Sequence, residues 1–281
     1  MKKIDVMVMN PPYQDSGRTG GGVCASNVLW DKFVAIAEEL VKDDGYICAV
    51  HPSLWRKPGH PVGDTLRRNR LLYLEIHGEK DGVKVFGAET RYDWYVLQKS
   101  KVSGKTSIKD QEGKIFDIDM ADWRFIPNFA FDLAQKLIAK PGEVAVEMIH
   151  DSSYHTQRIE QISDKKSGSF KYPCIYTVPK NGIPRLMWSN RNDKGHFGVP
   201  KVIFSTGRPI SAGFFVDGKG EYGLTQFSAG IIDTLENLPT IYEALNGSKF
   251  RAFCSAISIG KLEINAHIIK YFRKDFWKEF V

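Results

Sequence analysis

Apolar residues recur in two rhythms along the first hundred positions of the chain. Residues 4–9 form a short apolar run ended by Asn10-Pro11-Pro12, where the prolines withdraw backbone donors and stop a strand. Trp30, Phe33, Val34, Ala37, Leu40 and Val41 follow at helical spacing, with Asp31, Glu38 and Glu39 on the opposite side, which predicts a helix over 30–42. Asp43-Asp44-Gly45 closes that helix, and 46–50 reads as a buried strand ending at His51-Pro52. The pattern then predicts a short helix over 65–69 and strands over 71–77, 82–86 and 94–98, the last pair forming a hairpin. Strand, helix, strand, helix, strand is the order of an α/β layered domain with helices packed on a mainly parallel sheet. A doubly wound nucleotide-type domain would place a βαβ unit with a glycine-rich first turn ahead of it, and none precedes residue 5.

From 99 to 122 the chain turns polar, with Gly104 and Gly113 as hairpin-turn signals, and 129–139 has the spacing of an amphipathic helix stopped by Pro141-Gly142. Beyond this the pattern changes to short β-like pieces at 172–178, 201–205 and 213–216, with Asp217-Gly218 as a tight-turn signal. Helical patterns return at 238–245 and over 249–280. The expected division is 1–125 and 126–281, an α/β unit followed by a β-rich unit with C-terminal helices. No internal repeat or low-complexity segment is present.

Composition narrows the class. With 281 residues and 42% hydrophobic content the chain can bury an ordinary core. No window approaches the roughly 18 consecutive apolar residues of a bilayer span, and no signal-peptide pattern opens the chain, so a cytoplasmic protein without membrane attachment is expected. Cys24, Cys48, Cys174 and Cys254 lie far apart, without zinc-type spacing, and read as core thiols. The formal charge of +6 is compatible with a polyanionic partner.

Asn10-Pro11-Pro12-Tyr13 carries a specific chemical possibility. The exocyclic amino nitrogen of a base is a poor nucleophile because its lone pair is delocalised into the ring. If the Asn10 side-chain oxygen and the Pro11 carbonyl accept its two hydrogens, the nitrogen is oriented and can pyramidalise without a strong base. Pro12 stiffens the loop, and Tyr13 offers a face on which a base extruded from a duplex can stack. A strand delivers the four residues to a sheet's carboxyl end, where open α/β folds place their sites. The same four letters also suit a proline-stiffened surface turn.

Asp5-Val6-Met7-Val8-Met9-Asn10-Pro11-Pro12-Tyr13-Gln14 resembles motif IV of the amino-group DNA methyltransferases, especially the methylase part of fused Type II restriction-modification enzymes. The segments 29–33 with the following helix, and 40–55, are similar to that family's motifs V and VI in order and spacing. Segments 68–77 and 82–99 resemble motifs VII and VIII, and 200–205, 217–223 and 268–277 resemble its target-recognition and closing segments. The resemblance implies a partial Rossmann-like methyltransferase sheet followed by a β-rich target-recognition domain, acting on adenine N6 in double-stranded DNA with S-adenosylmethionine as donor. It further implies that Asn10 and Pro11 hold the target amino group, that Pro12 shapes the loop and that Tyr13 stacks on the flipped adenine. Phe86 falls at the aromatic position of motif VIII that closes on the base; a core aromatic on a strand is the alternative.

The family's cofactor pocket needs a glycine-rich turn and an acidic residue for the ribose. Neither precedes residue 5, residues 258–261 do not supply them, and the glycine-rich 17–22 reads as a loop over the substrate. Three readings stay open: a partner chain supplies that half, the chain binds DNA without methylating it, or the sequence is a shortened relative or a piece of a longer enzyme. The first is expected, because an uncovered sheet edge needs a partner. In the second unit Arg185, Trp188, Asn190, Arg191, Lys194 and Arg208 mix donors for base edges with cations for phosphates, and form the expected DNA-reading surface beside Tyr172, Tyr176 and Asn192. Each of these singly also suits an ordinary polar loop. His51 with His60, and His150-Asp151 with His155, have no common metal-ligand spacing, so no metal is expected.

Overall fold

The apolar run before the double proline is strand β1, Ile4–Met9, and it lies at one side of a six-stranded sheet. The computed structural model describes residues 3–14, 28–207, 209–260 and 263–281. Helix α1, Trp30–Leu40, buries Trp30, Val34 and Ala37, the positions its periodicity marked. Strand β2 then runs over Val41–Pro52, further back than expected, because 42–45 belong to the strand as a bulge rather than closing the helix. The register steps from Ile4↔Val41 to Val6↔Tyr46, and Asp44 takes a positive φ of 62° to absorb the extra residues. Gly45 is required here, since a Cβ would stand 2.7 Å from the Asp5 carbonyl oxygen.

Helix α2, Pro61–Arg68, starts with proline in its first turn, and the His60 side chain accepts the Val62 N–H. Strand β3, Arg70–His77, leads into helix α3, Glu79–Phe86, and strand β4, Tyr92–Gln98, follows. The strand expected at 82–86, and the hairpin built on it, are therefore corrected. Asp81 caps the backbone N–H of Gly78, and Gly87 ends the helix in the left-handed region at φ 67°, while Val83 and Val85, which suggested alternation, remain exposed. Gly82 sits so close to the loop after α3 that a Cβ would come within 2.0 Å of the Thr90 carbonyl oxygen.

Strands β5, Thr106–Lys109, and β6, Ile115–Ile118, form a hairpin through Gly113; Gly104 lies in the approach to β5 instead. The sheet order is β1-β2-β4-β3-β5-β6. β1 with β2 and β3 with β5 run parallel, whereas β4 is reversed and inserted between β2 and β3, so the sheet is mixed. Ile47, Ala49, Tyr95, Leu97, Leu74 and Ile76 share the face covered by α1 and α2. The first unit is thus a mixed α/β sheet with helices packed on it.

The chain divides between Phe131 and Asp132 into two compact units, inside helix α4, Phe131–Leu137. The second unit contains two four-stranded sheets. Strands β7, Glu147–Ile149; β8, Ile162–Ser163; β9, Tyr172–Thr177; β10, Arg185–Ser189; β11, Lys201–Ser205; β12, Phe214–Asp217; β13, Gly223–Leu224; and β14, Ser228–Ile232 follow in order. They pair as β13-β9-β10-β8 and β12-β11-β14-β7. Ile175, Val178, Ile203 and Leu224 form a buried core drawn from both sheets. Asp217 is not merely a turn residue: buried at the end of β12, its carboxylate lies 2.7 Å from Lys201 Nζ and accepts the N–H groups of Glu221 and Tyr222.

Helices α5, Leu238–Asn246; α6, Ser248–Ala256; and α7, Ala266–Ile269, with a 3-10 turn at Phe276–Phe280, close the unit. The expected helical stretch over 249–280 is thus broken. The Ser258 hydroxyl donates to the Cys254 carbonyl at 2.7 Å and accepts the Glu263 N–H, competing with helix continuation. Among the described residues no helix is long and apolar enough to cross a membrane.

Candidate active site

Parallel pairing fixes where β1 delivers its last residues. Met9 lies opposite Ala49, so Asn10 leaves the sheet at the same rim where β2 ends at Pro52. Because β4 runs the other way, its first residue, Tyr92, stands opposite both Pro52 and His77. The carboxyl ends of β1, β2 and β3 and the start of β4 therefore meet on one rim, the side on which open α/β sheets take ligands. Asn10 is exposed there, Pro11 is buried, Pro12 is exposed and Tyr13 is half-buried. The loop turns back into the unit, with the Tyr13 carbonyl accepting the Leu29 N–H at 3.3 Å and Gln14 bridged to Val28.

Aromatic rings line this rim. Tyr13 meets Phe86 edge-on at 5.8 Å, Phe86 meets Tyr92 at 5.0 Å and 88°, and Tyr92 stacks on His77 at 4.5 Å and 4°. Phe86 holds its place as the last residue of α3, not as a strand residue. Burial, reinforced by the neighbouring Tyr92, pushes the Tyr13 phenol up to about 12, so it stays neutral at physiological pH. Its hydroxyl is buried with no hydrogen-bond partner among the described residues. The rim thus brings together Asn10, Pro11, Tyr13 and Phe86, all anticipated, with Tyr92 and His77, which were not. Their only signal is the reversed strand, which sequence periodicity does not reveal.

A buried frame supports the rim. Arg56 is 0% exposed and donates to Asp93 at 2.9 Å, to the Ile126 carbonyl at 3.0 Å and to Asn128 Oδ1 at 2.8 Å. Burial pushes the Asp93 carboxyl upward, and the Arg56 guanidinium opposes that shift. Trp30 lies between two imidazoles, 4.4 Å from His51 and 5.2 Å from His60. His51 is fully buried, with Nε2 3.2 Å from the Tyr95 hydroxyl, and burial holds its pKa down to about 4.

Its neutral form is the one the fold accepts. With a folded value below the unfolded value of about 6.5, His51 contributes full stability above that pH and loses it as pH falls towards 4. Urea unfolding followed between pH 7 and 4.5 is expected to show a loss of up to about 3 kcal/mol from this group. A His51→Gln variant that keeps the whole pH dependence would contradict the assignment.

β1 is the last strand on its side of the sheet, and Val6 and Val8 on it are 51% and 78% exposed. Residues 17–22 lie outside the described residues.

In the second unit the expected DNA-reading residues occupy both ends of β10. Arg185 opens it, exposed, while Asn190, Arg191 and Lys194 follow its far end. Four steps of about 3.3 Å separate Arg185 from Ser189, so the residues form a row and not a cluster. Lys166 lies over the Trp188 ring at 5.0 Å, and Asn190 donates to the Glu160 carbonyl at 2.9 Å. Arg191 is paired through both nitrogens with Asp193, whose carboxyl it holds down at about 2. Arg208 lies outside the described residues. His150 packs edge-on against His267 at 4.7 Å, whereas Asp151 pairs with His196 at 3.1 Å and the His155 ring accepts the Gln157 N–H. Among the described residues no group of three His, Cys, Asp or Glu side chains is placed to hold a metal ion.

No protein-family model and no curated protein matches the chain. Among solved structures it is similar to the Type IIL restriction-modification enzyme MmeI in complex with DNA, at 10% identity and a TM-score of 0.49, over 95% of this chain and 46% of that one. It is similar to a nuclease-deletion mutant of the Type ISP restriction-modification enzyme LlaGI in complex with a DNA substrate mimic, at 12% identity and 0.46, over 92% and 39%. The M protein of the Type I restriction enzyme EcoKI is matched at 13% identity and 0.30, over 39% of this chain and 26% of that one. The chain therefore spans less than half the length of each of these proteins.

Proposed function

We propose that the chain is the amino-group-binding and DNA-recognising part of a site-specific DNA adenine-N6 methyltransferase of a restriction-modification system. One observation carries the proposal: Asn10-Pro11-Pro12-Tyr13 leaves β1 at the carboxyl rim, with Tyr13, Phe86 and Tyr92 forming an aromatic wall beside Asn10. On this reading Asn10 Oδ1 and the Pro11 carbonyl accept the two hydrogens of the adenine amino group, aiming the nitrogen lone pair. Tyr13 stacks on the flipped base, Pro12 sets the loop and Phe86 backs Tyr13. A neutral Tyr13 suits a stacking role and not proton transfer.

S-adenosylmethionine is the donor in this proposal, and its binding half belongs to a partner chain. The unpaired edge of β1 and its exposed valines support a partner there, since such an edge is a template for further strands. Double-stranded DNA is the substrate, read by the row that Arg185 opens on β10. Co-purification with a companion carrying a glycine-rich cofactor half, followed by incubation with labelled S-adenosylmethionine and duplex DNA, tests the reading. Label should enter the DNA only when both chains are present. A stable pair that binds DNA and leaves it unlabelled would favour the alternative, a catalytically inactive methyltransferase-like DNA-binding or specificity module.

A further inference from the structure

The second unit contains a cavity of about 200 Å³ at the Arg185 end of the row already described, where the loop joining β9 to β10 meets the segment between β11 and β12. Thr177, the last residue of β9, and Arg185, the first of β10, face each other across the base of the hairpin and both line it. Lys180 from the hairpin, Ser205 from the end of β11 and Ser211 from the following loop complete its polar lining. No carboxylate lines the cavity, and among the described residues none pairs with Lys180 or Arg185.

Its walls are held by hydrogen bonds that do not involve the two cations. The Ser205 hydroxyl accepts the Val178 N–H at 2.7 Å and donates to the Val178 carbonyl at 3.2 Å, joining the hairpin to β11. The Gly213 N–H donates to the Val178 and Pro179 carbonyls, and a Cβ at Gly213 would come within 2.2 Å of the Pro179 oxygen, so only glycine allows this approach. Arg251 donates to the carbonyls of Ile210 and Ala212, fixing the other wall. The cavity is therefore built before any ligand arrives, which removes much of the ordering cost of binding. Two unpaired cations and hydroxyl groups without an opposing acid select an anion with several acceptor oxygens, and phosphate has that chemistry.

We propose that this cavity seats a backbone phosphate of double-stranded DNA, with Arg185 and Lys180 neutralising it and the hydroxyls of Thr177 and Ser211 donating to its oxygens. The proposal rests on the reading of the second unit as DNA-binding, and it adds Lys180, Thr177 and Ser211 to the residues that reading names. Arg185 then positions the duplex and does not read a base edge, so its loss weakens all sequences alike.

Binding of a mixed-sequence duplex, measured by fluorescence anisotropy across a series of salt concentrations, tests the proposal with the whole chain. Lys180→Ala/Arg185→Ala should weaken binding about tenfold or more and reduce the salt slope by about 0.9, the value for one phosphate neutralised. Lys140→Ala, which removes an exposed cation outside the cavity and outside the row on β10, should leave the slope unchanged. Thermal melting of each variant separates lost binding from lost folding, and Ser211→Ala gives a milder variant with the same expected direction. A wild-type chain that binds duplex with an unchanged slope in the double variant overturns the phosphate site while sparing the DNA reading. A wild-type chain that binds no duplex overturns both. Titration with inorganic phosphate, followed by amide NMR shifts, separates the sources: saturation of the cavity by phosphate alone, without any duplex affinity, overturns the DNA assignment in favour of a free phosphoryl ligand.

Discussion

Asn10→Ala should reduce methyl transfer by at least about 10²- to 10³-fold, the usual cost of removing a donor or acceptor aimed at the reacting group. The argument is one of position. Asn10 is the first residue beyond β1, exposed at the rim and outside the pairing that holds Met9 to Ala49. Its side chain contributes little to the core, so alanine should leave the melting temperature almost unchanged. Asn10→Asp is the sharper comparison. A carboxylate can still accept hydrogens but adds charge beside a neutral phenol, and partial activity rising at lower pH is expected. DNA affinity should stay within about threefold in both variants, because phosphate contacts dominate affinity. Quantifying label transfer to duplex DNA by the two-chain assembly gives the rates, and anisotropy gives the affinities. Full activity in Asn10→Ala would remove the rim from the chemistry.

Arg56→Ala should destabilise the first unit by about 3–5 kcal/mol, the range found when one member of a buried ion pair is removed. The cost arises in what remains. Asp93 is 0% exposed, its second carboxylate oxygen has no hydrogen-bond partner among the described residues, and Asn128 would lose the guanidinium as well. Relative to the 5–15 kcal/mol that stabilises a typical domain, such a loss is large. With Arg56 gone, the main influence opposing burial at Asp93 is lost and its folded pKa rises further. The deficit should therefore shrink as pH is lowered and grow as pH rises through that value, opposite in sign to the His51 contribution. Urea unfolding at pH 7 and pH 5 distinguishes the two. Because Asp93 adjoins Tyr92, the same variant should also loosen the aromatic rim and lower activity even where it stays folded.

The local grammar of the chain was readable where one face decides the structure. α1 shows its buried positions Trp30, Val34 and Ala37 as a plain helical stripe, and β1 is marked at its end by two prolines. α3 reads as a strand because Val83 and Val85 alternate, yet both lie on the solvent side; the cap at Asp81 and the left-handed Gly87 are the better signals. β2 was cut short because a bulge with Asp44 at positive φ looks like a helix stop.

Strand order was not readable at all. Insertion of β4 between β2 and β3 depends on β4 pairing back past β3 to β2, from Pro52↔Tyr92 to Tyr46↔Gln98, and that insertion is what carries Tyr92 and His77 to the rim that Asn10 enters. The motif could therefore be found from its letters, while half of its surroundings could not. In the second unit, composition marked the cations but not their partners. Arg191 is neutralised by Asp193 two residues on, whereas Lys180, with no motif around it, shares a cavity with Arg185.

The central claim is that the rim at Asn10-Pro11-Pro12-Tyr13 presents an adenine amino group for methylation. Nucleoside mass spectrometry of duplex DNA treated with the chain, its cofactor-binding companion and S-adenosylmethionine tests it most directly. N6-methyladenine produced by the wild-type pair and missing with Asn10→Ala is the predicted result. Methylation on cytosine, or N6-methyladenine that persists with Asn10→Ala, would contradict it.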